Sequence, residues 1–146
     1  MDQALELARQ AGRRGEVPVG AVVVHDGNVI GRGANLREEQ QNPLAHAEII
    51  AIREAADYLG SWRLEDTVLY VTLEPCPMCA GAIINARIPI VVFGCSDPKA
   101  GAVHTLYKLL EDPRLNHRAE VISGVRAESA ADLLTSFFAE LRKTKD

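Results

Sequence analysis

Long apolar runs, an export signal, internal repeats and a basic excess are all missing from this sequence, and each absence removes a class of protein. The longest nearly apolar run covers residues 88–95, far short of the ~18 residues that span a bilayer, so no membrane segment is expected. The opening Met1-Asp2-Gln3-Ala4 has no basic stretch followed by an apolar one. No secretory leader is expected, and the cytoplasm is the expected address. No repeat or low-complexity tract divides the chain, and glycine and proline are scattered as turn punctuation, so residues 1–146 are read as one domain. Sixteen lysines and arginines against twenty acidic residues leave a net charge of −4. That counts against a general nucleic-acid coat, whose domains are usually strongly basic, and leaves room for a local basic rim.

Cysteine is scarce too: three residues, an odd count, with two of them in Cys76-x-x-Cys79. Without an export signal, such a pair suits metal or redox chemistry better than a structural disulfide. Hydrophobic residues at 47% and charged residues at 25% are ordinary globular usage. A chain of this length buries roughly 68–70% of its unfolded surface, so its core needs no disulfide staples.

Hydrophobic periodicity then places the elements. Leu5, Leu7, Ala8 and Ala11 suggest a helix over residues 2–14, ended by Gly12 and Gly15. Residues 17–24 are β-rich, and Asp26-Gly27 reads as a hairpin turn into a second strand ending near Gly33. After a polar loop, residues 45–59 have a helical period closed by Gly60. A strand over 67–73, a helix over 78–86 and a strand over 88–94 follow. A short helix around 106–110, a short strand over 119–122 and a last helix over 129–143 complete the chain. A hairpin followed by alternating helices and strands predicts a three-layer α/β/α fold, a mixed five-stranded sheet with helices on both faces.

Two clusters of reactive residues fall where the chain enters helices. His46-Ala47-Glu48 opens one helix, and Pro75-Cys76-Pro77-Met78-Cys79 lies between a strand and the next. Spacing of i, i+3 puts the sulfurs of Cys76 and Cys79 on one face, able to share an ion. The positive end of the helix favours thiolate, the form that ligates. With His46 they make three protein ligands for Zn²⁺ and leave a fourth position for water, the arrangement of a catalytic rather than a structural site. Zinc lowers the pKa of such a water towards ~7. Glu48 is two residues from His46, a divergence of about 200° on a regular helix. At a helix start, however, Glu48 can still aim at the metal-bound water while His46 binds the metal. There a carboxylate can move a proton from the water to a leaving amine, a contribution of roughly 10²–10⁴-fold. Taken alone, the cysteine pair also fits a thiol–disulfide redox protein, and His-x-Glu alone is a common helix start with an acid for its dipole. The combination is specific, because it is the signature of zinc nucleobase deaminases.

His46-Ala47-Glu48 with Pro75-Cys76-Pro77-Met78-Cys79 resembles the cytidine-deaminase-like superfamily, and within it the bacterial tRNA-specific adenosine deaminases. The similarity runs through Gly15-Glu16-Val17-Pro18-Val19-Gly20-Ala21, Leu69-Tyr70-Val71-Thr72-Leu73-Glu74, Val92-Phe93-Gly94, Asp97-Pro98-Lys99, Leu115-Asn116-His117-Arg118 and Phe137-Phe138. The segments after Cys79 carry the likeness to the tRNA enzymes. The resemblance implies one zinc per chain on His46, Cys76 and Cys79, with Glu48 as the proton shuttle. It further implies that Asn35 and the backbone of Ala47 face a flipped base, and that the Asp97 loop and the last helix line an RNA channel. The implied reaction is hydrolytic deamination of adenosine to inosine at the first anticodon position of a tRNA, by water activated on zinc, in a homodimer that binds the anticodon loop. The family chain usually has a few more residues before its first helix.

A same-fold deaminase of free guanine or another small base, a catalytically silent zinc-stabilised RNA-binding module and the redox protein are the alternatives at this level. Cys95 is a candidate fourth ligand or a buried thiol. His25, His104 and His117 read as surface or loop histidines, with His117 beside Arg118 the one placed to meet RNA by analogy. Phe137 and Phe138, adjacent on a helix, cannot share one face, so one is expected in the core and the other towards substrate or partner. Arg142, Lys143 and Lys145 form a basic end suited to phosphates or to solvent.

Overall fold

The hairpin at one edge of the sheet is set by two residues. Asp26 and Gly27 both have positive φ, 50° and 77°, the pair of left-handed conformations that a type I′ turn requires. In the computed structural model, which describes residues 1–145, this turn joins β1 (Gly20–His25) to β2 (Asn28–Ala34) in antiparallel pairing. A bulge between Val23 and Val24 shifts their register. β3 (Thr67–Leu73) lies antiparallel on the other side of β1; β4 (Ile90–Cys95) and the short β5 (Glu120–Ile122) then follow in parallel. The order β2-β1-β3-β4-β5 is the mixed five-stranded sheet expected from the sequence.

Helices cover both faces. On one, α1 (Asp2–Arg13) lies against β1 and α5 (Ala127–Lys145) against β4. Ala4, Leu5, Ala8 and Ala11 of α1 are buried, so the first helix is docked on the sheet. On the other face, α3 (Ala47–Leu59) crosses β2 and β1, with α4 (Pro77–Ala86) beside it. The core between α3, α4 and the sheet includes Val23, Leu69, Val71, Ile83, Val91 and Phe93. A Cβ on Gly31 or Gly33 would collide with the backbone of α3 at Ala51 and Ala47. Glycine at these two places lets α3 lie directly on β2, which fixes where its first turn stands.

The boundaries differ from the sequence reading in physically explicable ways. The polar loop after β2 contains one helical turn, α2 (Arg37–Gln40). Four polar residues have no periodicity to reveal, and the turn is built from outside, by the Glu16 carboxylate accepting from the N–H groups of Glu38 (3.0 Å) and Glu39 (2.8 Å). The helix expected at 106–110 is a single 3₁₀ turn, Leu109–Glu111, because Leu106 and Tyr107 are exposed and only Leu110 is buried. Nor is either phenylalanine of α5 in the core. Phe137 is half-buried, Phe138 is 40% exposed, and the rings stack edge to face at 5.4 Å. Ala130 is the buried residue of that helix, since small side chains let it sit close to Gly94 of β4. Among the described residues no helix is long and apolar enough to cross a membrane.

Candidate metal centre and active-site cleft

Every site residue comes from one end of the sheet. Val17 and Val19 lead into β1, Asn35 leaves β2, Glu74 and Cys76 leave β3, and Asp97 leaves β4. Because β1 runs opposite to β2 and β3, its beginning lies beside their carboxyl ends, where open α/β sheets bind ligands. The starts of α3 and α4 meet there as well. His46 is the residue before α3, with extended backbone (φ −79°, ψ 150°), and Cys76 the residue before α4 (φ −77°, ψ 175°). Neither side chain caps its own helix. Both are committed instead to a shared contact: His46 Nδ1 lies 3.6 Å from Cys76 Sγ and 3.5 Å from Cys79 Sγ. Pro77 occupies the first helical turn, where its missing N–H costs nothing.

These separations test the ion directly. Tetrahedral zinc with its usual bond lengths to sulfur and imidazole nitrogen holds those ligand atoms about 3.6 Å apart. The three ligand atoms lie within 4.8 Å of one another, so the donor set fits. Cys95 is not part of it; its thiol lies 3.7 Å from the carbonyl of Thr72. That leaves a three-ligand group among the described residues, the count that catalytic zinc sites use.

Electrostatics agree with ligation. A hydrogen bond from Cys79, opposed by burial and helped by His46, brings the Cys76 thiol down to about 4. The same pairing with Cys76, together with burial and the nearby Glu48, pushes Cys79 up. The bond to Cys76 raises His46 against the effect of its burial. A divalent cation on this trio displaces the remaining protons, as metal binding does at thiol and imidazole ligands.

Glu48 is buried in the first turn of α3. Burial is the main cause that pushes its carboxyl up, and the charge on Cys76 adds to it, while its own backbone N–H, the charge of His46 and a hydrogen bond with Cys79 pull the other way. Since His46 precedes the helix instead of belonging to it, the divergence of i, i+2 side chains on a regular helix does not separate the two. Both address one cleft.

That cleft has a cavity volume of about 220 Å³, below the roughly 300–1,000 Å³ common for drug-sized ligand sites. His46, Ala47, Glu48 and Cys76 line it. Asn35 and Arg37 line it too. The Asn35 amide donates to the Val17 carbonyl (3.2 Å) and accepts from the Arg37 N–H (3.1 Å), which leaves one N–H and one lone pair for a ligand. Asp97 also lines the cleft, with Ala100; its Oδ1 accepts from the N–H groups of Lys99 and Ala100.

All seven residues singled out in the sequence are therefore brought together, with Cys79 beneath the lining. His117 is not. Its Nε2 lies 2.6 Å from the Ile88 carbonyl, which can only accept, so this nitrogen carries the proton. Ile88 precedes β4 at the end of the sheet away from the cleft, and Arg118 is similarly spent on the carbonyls of Pro113 and Leu115. Arg37, Val17, Val19 and Glu74 line the cleft without having been singled out. Only Glu74 left a trace in the sequence, an acid set between an apolar strand and Pro75-Cys76.

Comparison with known proteins follows the same lines. The family model for MafB19-like deaminases matches residues 1–142. A curated relative from Bacillus subtilis (strain 168), a tRNA-specific adenosine deaminase, is 54% identical over 145 residues, covering 99% of this chain and 90% of its own. A solved structure from work on A-to-I editing by tRNA:A34 deaminases at the wobble position superposes with a TM-score of 0.88 at 48% identity, covering 92% of this chain and 97% of that one. A guanine deaminase structure from Bacillus subtilis reaches a TM-score of 0.62 at 42% identity over 65% of this chain and 61% of that one. With identity of that order sustained along nearly its whole length, the chain belongs to the tRNA-specific adenosine deaminase family.

Proposed function

We propose that this protein hydrolyses adenosine to inosine at the first anticodon position of a tRNA. The observation that carries the reading is the placement of Glu48, a buried carboxyl of raised pKa lining the same cleft as a metal-ligand trio. His46, Cys76 and Cys79 would hold one zinc ion. When bound, zinc supplies the Lewis acidity that makes water nucleophilic at neutral pH. Glu48 takes a proton from the attacking water as its oxygen bonds to C6 of the base. Glu48 then returns a proton to the exocyclic nitrogen, and the C6–N6 bond breaks to release ammonia. A carboxyl with elevated pKa is suited to both halves of that transfer.

Asn35, through its remaining N–H and lone pair, and the backbone of Ala47 orient the flipped base. Asp97 borders the path of the strand. A small open cleft suits a base already exposed in a single-stranded loop, the usual target of sequence-specific RNA recognition. We also propose a homodimer: the exposed, adjacent side chains of Leu106 and Tyr107 are apolar surface that a second copy would cover. With a tRNA substrate, we propose a cytoplasmic location.

The guanine deaminase similarity favours one second reading, deamination of free guanine by the same machinery. Incubation of the purified protein with a synthetic anticodon stem-loop, followed by mass analysis, decides between them. Replacement of the amino group by oxygen in the stem-loop supports the proposal; ammonia release from guanine with an unchanged stem-loop overturns it.

A further inference from the structure

Glu74 is a carboxylate shut away from water, 2% exposed, with no cation paired to it among the described residues. Five hydrogen-bond donors surround it instead. Oε1 accepts from the N–H of Asp97 (3.1 Å) and the hydroxyl of Thr105 (2.5 Å). Oε2 accepts from the N–H groups of Val103 (3.1 Å), His104 (2.8 Å) and Thr105 (3.0 Å). All five belong to one segment, which between β4 and the 3₁₀ turn has neither helix nor strand to define it. An unpaired buried charge is costly, so an arrangement of converging N–H dipoles must hold its shape to keep that charge satisfied.

The contact is specific on both sides. A Cβ on Gly101 would fall on all three atoms of the Glu74 carboxylate, so the segment approaches only because this residue has no side chain. Backbone bonds fasten the same join: Glu74 N–H donates to the Cys95 carbonyl and Ala102 N–H to the Pro75 carbonyl, each at 2.9 Å. Two residues after Glu74 comes Cys76, and at the start of the held segment stand Asp97 and Ala100, which line the cleft. One side chain thus connects the metal-ligand strand end to a second lining segment of the cleft.

We propose that Glu74 is a positioning residue of the active site: it holds the segment from Asp97 to Thr105 in the one register that puts Asp97 and Ala100 in the wall of the substrate cleft. The inference rests on reading the cleft as the deaminase site. Glu74 touches no reacting atom and acts through the loop. A wall displaced by an ångström can cost on the order of a hundredfold in rate.

Glu74→Gln tests it with little change of shape. Glutamine offers one acceptor and one NH₂ donor. The oxygen can keep the three N–H groups on the Oε2 side, and the hydroxyl of Thr105 can rotate to accept. The Asp97 N–H then faces another donor and is released. In the zinc-loaded full chain, E74Q should lose about 10–100-fold in kcat/KM, mainly through KM, while retaining about one zinc per chain. Hydrogen exchange should quicken at Asp97 and Ala100 and leave the amides of β3 and β4 protected. Thr105→Val and Gly101→Ala disturb the same contact from the loop side, and carry the test in the same direction should E74Q not fold.

Measurement on both the anticodon stem-loop and free guanine separates this inference from the substrate assignment. Wild-type turnover of guanine alone would overturn the RNA reading, and a raised KM of E74Q for guanine would still support the role of Glu74. Wild-type KM in E74Q on the substrate that is turned over overturns the role, as does unchanged exchange in the loop.

Discussion

Cys76 Sγ and His46 Nδ1 stand 3.6 Å apart although they lead into different helices, each occupying the position immediately before its helix begins. The contact is a consequence of the sheet order. β2 and β3 flank β1, and the chain leaves both at the same end, so the helices that follow start side by side. Glycines at 31 and 33 then let α3 sit close enough for the two side chains to meet.

Glu48→Gln removes the proton carrier and leaves the ligand trio untouched. Deamination should fall by about 10²–10⁴-fold while the variant still binds about one zinc per chain. Metal analysis alongside single-turnover kinetics checks both halves. Near wild-type turnover would remove Glu48 from the mechanism.

The three cysteines should behave unequally. Cys76→Ser or Cys79→Ser replaces a thiolate ligand by a hydroxyl and should abolish stoichiometric zinc binding. Cys95→Ser should bind zinc as the wild type does, because its sulfur bonds to the Thr72 carbonyl and lies outside the ligand group. Loss of zinc from C95S would show a fourth ligand and make the site structural.

How far the sequence could be read depended on whether a residue's partner was near in the chain. His46, Cys76 and Cys79 were legible because their spacing and their positions at helix starts carry the chemistry. The strands and long helices were legible from periodicity, and Asp26-Gly27 from turn chemistry. Glu16 and Glu74 were not, because each is satisfied by backbone N–H groups more than twenty residues away, and backbone donors have no sequence signature. The same reason hid α2, which Glu16 holds from outside. Phe137 and Phe138 misled because helical periodicity tells which residues share a face but not whether anything covers it.

His117→Ala should cost stability and leave catalysis alone. The substitution removes the donor to the Ile88 carbonyl and leaves that acceptor unpaired, a loss of about 1–2 kcal/mol. Thermal unfolding should shift down while KM for the stem-loop stays unchanged. A raised KM with unchanged stability would return His117 to the RNA surface.

The Glu74 carboxylate should also give the fold an acid-sensitive component with a defined window. Burial opposes its charge, but the N–H groups of His104, Thr105 and Asp97 and the hydroxyl of Thr105 outweigh that and hold it at about 2, against an ordinary value of 4.5. A carboxyl lowered on folding contributes above its unfolded pKa and loses the contribution as pH falls towards its folded one. The full contribution, about 3 kcal/mol, is therefore present above pH ~4.5 and fades between there and pH ~2. Zinc leaves the wild type and E74Q alike in acid, since both keep His46, Cys76 and Cys79, so the difference between their unfolding free energies isolates Glu74. That difference should be largest near neutral pH and shrink steadily below pH ~4.5. A difference that stays constant from neutral pH to pH ~3 would mean that the native carboxylate gains nothing from its five donors that the unfolded one lacks.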